Sequence, residues 1–212
     1  MTTITNCIPI VYKHFKFINV AIENILHQTL LPNEVIVIIS QYQENEEDNN
    51  ILKSIELQLE DKNIKFIYKT FPGVQYAGKN REIAYNLCNT ELIIYQDGDD
   101  FTHKKRNETF CHIYNNTKCP HLLHGWTTNK NALNELIDID KIKILPLSSK
   151  GQHTHNGAIC LSKSLIGPIN FPNNRRGQDV QLNLMLCRKY KSQLIINNYL
   201  YIYNKELSSI KI

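Results

Sequence analysis

Five β-branched residues stand in a row at Val35-Ile36-Val37-Ile38-Ile39. No polar position alternates with them, so a strand built from this run buries both of its faces. Such strands belong to parallel sheets with helices packed above and below. The neighbouring segments agree. Ile4 to Val11 is a strand candidate, and Phe15, Ile18, Ile22, Ile25 and Leu26 recur at helical spacing over Phe15 to Gln28. Pro32 ends that segment before the buried run. Gln41 to Asn50 reads as a polar, acidic loop, and Ile51, Leu52, Ile55 and Leu59 predict a second helix. Ile64 to Tyr68 reads as a third strand, Gly78 to Cys88 as a third helix with Ile83, Ala84 and Leu87 facing inward, and Leu92 to Tyr95 as a fourth strand. Alternation of this kind implies right-handed crossovers and a doubly covered, mainly parallel sheet.

The second half is less regular. Lys104 to Asn115 and Val180 to Tyr190 read as helices, and His121 to His124 and Ala158 to Leu161 as strands. Leu194 to Ile196 and Leu200 to Tyr203 read as two closing strands. With 212 residues, 42% hydrophobic and 21% charged, one domain over 1–212 is expected, with no linker. A net charge of +4 without a concentrated basic face gives no support for a nucleic-acid partner. No stretch approaches the ~20 apolar residues of a membrane span. Asn6, Pro9, Lys13, His14 and Lys16 interrupt the N-terminus, so it does not read as a secretory signal, and a cytoplasmic chain is expected. The six cysteines are scattered singly, as reduced thiols are.

Two common phosphate-binding devices are missing from the sequence. No Gly-x-Gly-x-x-Gly comes after the first strand, and no Gly-x-x-x-x-Gly-Lys-Ser/Thr occurs. The fourth strand runs instead into Gln96-Asp97-Gly98-Asp99-Asp100. Three carboxylates there repel one another unless a cation holds them, and a hard divalent ion with oxygen ligands serves. Ligands bind at the carboxyl ends of strands in α/β sheets. In extended backbone Asp97 and Asp99 share a side, and Gly98 admits a ligand close to the main chain. An acidic surface turn is the competing reading, since Asp-Gly favours turns.

Several motifs stand in a familiar order: Ile8-Pro9-Ile10-Val11-Tyr12; Ala21-Ile22 with Ile25-Leu26 and Gln28-Thr29; Pro32 with Glu34-Val35-Ile36-Val37; Gly73-Val74 with Gly78-Lys79-Asn80; Asp97-Gly98-Asp99-Asp100; and Gly177-Gln178-Asp179-Val180 with Leu182. From residue 3 to residue 205 the chain resembles the GT-A glycosyltransferases of family 2. The resemblance implies a GT-A, Rossmann-like three-layer sandwich, with a nucleotide-binding half over 1–100 and an acceptor and catalytic half over 101–212. It implies a UDP- or GDP-sugar donor, a glycan or other hydroxyl acceptor, Mn²⁺ or Mg²⁺ as cofactor, and inversion at the anomeric carbon. Mapped by motif, Asp99 leads the metal ligands, with Asp97 nearest ribose and metal and Asp100 beside them. Pro9 and Tyr12 fall in the loop after the first strand, where the family holds the base. Lys79 replaces the family's usual Arg and faces base or phosphates. Ser40, in Ile39-Ser40-Gln41-Tyr42, stands where the family carries an Asp-Asp-x-Ser stretch, so base selectivity is left open.

Asp179 maps to the family's general base. Its residue type also suits a helix N-terminus, and the two roles are compatible. His155, in Gln152 to Ala158, maps to the segment lining the donor sugar, where it contacts phosphate or metal or simply bonds a loop. Arg175 and Arg176 offer a pyrophosphate clamp or a solvated loop. Cys111, His112, Cys119, His121 and His124 raise a zinc reading, but their spacing fits no zinc module and His121 and His124 have opposite parity. Trp126, the one tryptophan, reads as core or as a stacking surface for an acceptor sugar. Two other classes stay open: a sugar nucleotidyltransferase, and a non-catalytic sugar-nucleotide or glycan-binding module.

Overall fold

The computed structural model describes residues 2–146, 156–190 and 193–204. Its first half is β1 (Ile4–Val11), α1 (Ile18–Leu26), β2 (Glu34–Ser40), α2 (Glu46–Glu60), β3 (Lys65–Phe71), α3 (Ala77–Leu87) and β4 (Leu92–Tyr95). Its second half is β5 (Phe101–Thr102), α4 (Arg106–Thr117), β6 (His121–Thr127), β7 (Ile144–Pro146), β8 (Ile159–Ser162), α5 (Lys163–Ile166), α6 (Gln178–Tyr190) and β9 (Gln193–Ile202). The strands form one sheet in the order β3-β2-β1-β4-β8-β6-β9-β5, with β7 against β9. β1 to β4 pair in parallel, β6 pairs parallel to β9, and β8 lies antiparallel between β4 and β6. The mainly parallel three-layer sandwich expected from the sequence is therefore present.

Side-chain parity divides the core between the two covering layers. Cys7, Ile36, Ile38, Ile93 and Tyr95 pack beneath α3 and α6 with Ala84, Tyr85, Leu182 and Leu186. Their neighbours Ile8, Ile10, Val35, Val37 and Ile39 pack against α1 and α2 through Ile18, Ile22, Ile25, Leu52 and Ile55. On the same side Leu92 and Ile94 meet Phe110 and Ile113 of α4. The edge strand β3 is largely exposed and carries Lys65 and Lys69, charges that discourage edge-to-edge pairing.

Four expectations need correction. The first helix opens as a 3-10 turn, Tyr12–Phe17, and becomes α-helical only at Ile18. The acidic "loop" already contains the start of α2, whose N-cap Asn45 accepts from the Asp48 N–H at 2.8 Å. Glu46, Glu47 and Asp48 are acidic because they complement that helix end. The two closing strands are one, β9. His124 pairs with Ile196 and Gly125 with Tyr199, so Asn197 and Asn198 are absorbed as a bulge. Finally, Pro9 lies inside β1, buried, and not in the loop after it. Pairing with β4 ends at Cys7–Tyr95, so the missing Pro9 N–H costs that ladder nothing.

The zinc reading finds no support. Among the described residues no group of three or more His, Cys, Asp or Glu could hold a metal. His121 and His124 do face opposite ways. The His124 ring meets Phe110 of α4 at 5.2 Å, while His121 is fully buried and bonds Asn183 of α6. Burial pushes the His121 imidazole down to about 3, against the opposing pull of Asn183. The unfolded chain takes up this proton near pH 6.5, whereas the native state cannot until about 3. This histidine therefore removes stability as pH falls from about 6.5 towards 3. His121→Gln is expected to flatten part of that slope, measured as melting temperature against pH. Parallel slopes for variant and wild type would contradict the assignment.

Candidate active site

β4 ends at Tyr95 in the middle of the sheet, and the chain turns at once. The Gln96 N–H donates to the Cys7 carbonyl at 2.9 Å, and the Asp100 N–H to the Asp97 carbonyl at 3.4 Å. Residues 97–100 therefore form a turn, not extended backbone. A Cβ on Gly98 would lie 2.7 Å from Ile10 Cδ1, so glycine lets this turn settle onto β1.

The turn sends its three carboxylates to three different partners. Asp97 Oδ1 accepts from Arg81 Nη2 at 2.6 Å, across side chains 24% and 4% exposed. Asp99 Oδ2 lies 3.4 Å from His14 Nδ1 in the 3-10 turn after β1. Asp100 is 1% exposed; its Oδ2 accepts from the Tyr201 hydroxyl at 2.6 Å and its Oδ1 from the Asn204 N–H at 2.8 Å. Burial, helped by the Asp97 charge, pushes the Asp100 carboxyl up to about 8, against those two hydrogen bonds. Repulsion within the cluster is thus relieved largely by the protein's own groups.

Tyr201 ties the turn to β9. Its hydroxyl accepts from the Asp97 N–H at 3.0 Å as well as donating to Asp100. A Cβ on Gly157 would sit 2.2 Å from the Tyr201 ring, so the chain entering β8 must be glycine there. Behind both lies Arg106, 1% exposed, in the first turn of α4. It donates to the Tyr95 carbonyl at 2.8 Å, to the Gly157 carbonyl, and through Nε to His124 Nε2 at 2.8 Å. His124 Nε2 accepts that bond, so its proton sits on Nδ1 and goes to the Gly125 carbonyl. Burial pushes Arg106 down to about 10, and its guanidinium lies over the rings of Phe110 and Tyr201.

The other sequence-selected residues divide into scaffold and surface. Ser40 is fully buried at the end of β2, where its hydroxyl accepts from Asn80 Nδ2 at 3.1 Å. Tyr12 accepts from Asn45 Nδ2 at 2.9 Å and meets Tyr42 edge-on. Lys79 is exposed and pairs with Glu82, while Arg81, two residues on, reaches the acidic turn. Asp179 is half-buried in the first turn of α6, and its Oδ1 accepts from the Val180 N–H at 3.0 Å. That helix start abuts the start of α3: a Cβ on Gly78 would lie 1.9 Å from the Pro172 carbonyl oxygen and 2.6 Å from Gln178 Oε1. Arg175 and Arg176 are exposed on the loop before α6. His155 lies outside the described residues.

Arg81, His14, Tyr201 and Arg106 escaped the sequence reading. Arg81 had a signal. With Ala84, Tyr85 and Cys88 it completes an i, i+3, i+4, i+7 set, which places it on the buried face of α3. The others are brought in by tertiary contacts alone.

Asp97 and Asp99 suit a hard divalent ion. They offer oxygen donors at the sheet's carboxyl edge, and Mg²⁺-type sites take one or two carboxylates with phosphate and water in the remaining positions. Asp100 has both oxygens engaged away from solvent and suits that role poorly.

Comparison by sequence, with family models and with curated proteins, finds no match. Comparison of structures does. Residues 1–349 of S. aureus TarS superpose with a TM-score of 0.71 at 15% identity, over 95% of this chain and 60% of that one. The same protein solved with UDP-GlcNAc gives 0.71 at 14%, over 99% and 62%. The mannosyltransferase PcManGT from Pyrobaculum calidifontis, in complex with GDP-Man and Mn²⁺, gives 0.61 at 12%, over 93% and 55%. The chain thus spans 60% of the TarS fragment's length. With the acidic turn after β4 and the antiparallel β8 inserted beside it, this likeness identifies the fold as that of the GT-A glycosyltransferases.

Proposed function

We propose that the chain transfers a sugar from a nucleoside-diphosphate donor to an acceptor hydroxyl, with inversion. One observation carries the reading: a GT-A sheet presents Asp97 and Asp99 on a turn at the carboxyl end of β4, braced by Arg81 and Tyr201. The structural neighbours solved with UDP-GlcNAc and with GDP-Man and Mn²⁺ support the donor class.

In this reading Asp99 and Asp97 would hold Mn²⁺ or Mg²⁺, and the bound ion would supply positive charge that stabilises the departing diphosphate. Arg81 fixes the Asp97 carboxylate, and Tyr201 fixes the main chain beneath it, so the donor meets a preorganised turn. Asp179 accepts the proton of the acceptor hydroxyl as that oxygen attacks the anomeric carbon. The bond to the diphosphate oxygen breaks on the opposite face. Asp179 lies in the first turn of α6, where the helix N-terminus favours a negative charge.

A thermal-shift screen tests the reading. UDP, GDP and their sugars, each with and without Mn²⁺, should raise the melting temperature where they bind the native state. Asp99→Asn should erase the Mn²⁺-dependent part of that rise and leave the unliganded melting temperature nearly unchanged. No shift with any nucleotide would sink the proposal. Pyrophosphate released from nucleoside triphosphate and sugar phosphate would favour a nucleotidyltransferase instead.

A further inference from the structure

We propose that Arg106 is a positioning residue that holds the acidic turn from behind; its consequence for donor binding deepens the glycosyl-transfer reading and rests on it. Arg106 lies in the first turn of α4 and is buried. Its side chain makes three hydrogen bonds, all to neutral acceptors: the Tyr95 carbonyl, the Gly157 carbonyl and the His124 ring. Nη1 is buried and has no hydrogen-bond partner among the described residues. No carboxylate pairs with the guanidinium among them either. Arginine stays charged at neutral pH, so this is a buried cation that no anion balances. Burying a charge in that way is costly, and an apolar side chain would fill the same slot without the cost. Breaches of this kind concentrate where function requires them.

The contacts of Arg106 converge on one place. Tyr95 ends β4, so the bond to its carbonyl fixes the strand end from which the turn hangs. The guanidinium also lies over the Tyr201 ring, 5.6 Å from its centroid, a cation–π contact. Tyr201 is the side chain whose hydroxyl accepts from the Asp97 N–H and donates to Asp100. Gly157 backs the same ring, and Arg106 holds its carbonyl. The bond from Nε to His124 of β6 sets the plane of the fork. One side chain of α4 thus joins the end of β4 to Tyr201 of β9, to the chain entering β8 and to β6. A cation without the fork cannot make these contacts together. Its charge also attracts that of Asp97 and so offsets part of the repulsion within the turn.

Amide hydrogen exchange, followed by NMR on the intact chain, reads the turn directly. In Arg106→Met the Asp97 and Asp100 amides should exchange roughly 10-fold faster, measured relative to residues 36–38 of β2. That ratio cancels any change in global stability, which a mere strut would pass to every core amide alike. Tyr201→Phe keeps the ring and loses the hydroxyl, and it should free the Asp97 amide to a similar degree. The double variant should exceed neither single by more than about 2-fold, because both act on one contact. Arg106→Lys supplies the same ratio if the methionine variant does not fold. An unchanged ratio, or multiplied effects in the double variant, overturns the positioning role. Titration calorimetry with UDP and GDP tests the consequence. The Mn²⁺-dependent gain in affinity should fall about 10-fold in Arg106→Met, with metal-free binding unchanged. A loosened turn that keeps the full Mn²⁺ gain overturns the claim on donor binding. No nucleotide binding by the wild type, with the turn loosened in the variant, overturns the transfer reading and leaves Arg106 its positioning role.

Discussion

Asp179→Asn is expected to lower sugar-transfer turnover by about 10²–10⁴-fold, the usual contribution of a general base. Donor binding should survive it. The native role of Asp179 in the helix start is one accepted hydrogen bond, Val180 N–H to Oδ1, and an asparagine side-chain oxygen can accept the same bond. The fold is therefore preserved while the proton acceptor is lost. The measurement is initial transfer rate at saturating donor, paired with the donor-induced thermal shift. A variant with wild-type turnover removes Asp179 from the chemistry. A variant that loses the thermal shift as well points to a structural role at the contact between α6 and α3, where Gln178 lies against Gly78.

The legible parts of this fold were those written in local periodicity. The unbroken run Val35 to Ile39 could only be a strand covered on both faces, and Leu92 to Tyr95 ends where its apolar run gives way to polar residues. Segments whose polar residues serve structure were misread. Glu46 to Asp48 look like a solvated loop because the charges that suit a helix start also suit a loop. Asn197 and Asn198 look like a break because a bulge tolerates what a regular ladder excludes. The acidic turn was visible as composition, and its brace was not. Tyr201 lies 101 residues from Asp100, and no local pattern joins them. Charge repulsion was also an incomplete guide. It implied that the carboxylates had to be neutralised from outside, whereas Arg81 neutralises one and burial raises the pKa of another.

That neutralisation makes a large and separable prediction for the first two aspartates of the turn. Asp97→Asn should destabilise the unliganded protein by about 3–5 kcal/mol, the cost of leaving a buried partner charge uncompensated. The stranded group is the Arg81 guanidinium, 4% exposed at its side chain, whose Nε and Nη1 are already buried without hydrogen-bond partners among the described residues. Asp99→Asn should cost less than about 1 kcal/mol. Its partner His14 is 3.4 Å away and is held below its ordinary pKa by burial and by Lys13, which weakens the ion-pair character of the contact at neutral pH. Denaturant midpoints measured in chelator, at constant slope, separate the two variants without any ligand. The double variant Arg81→Met with Asp97→Asn should recover part of the loss, because no charge is then left buried. If Asp97→Asn and Asp99→Asn melt alike, the Arg81–Asp97 pair does not hold this turn. If only Asp97→Asn is damaged, weakened donor binding in that variant must be attributed to a loosened turn before it is attributed to a lost metal ligand.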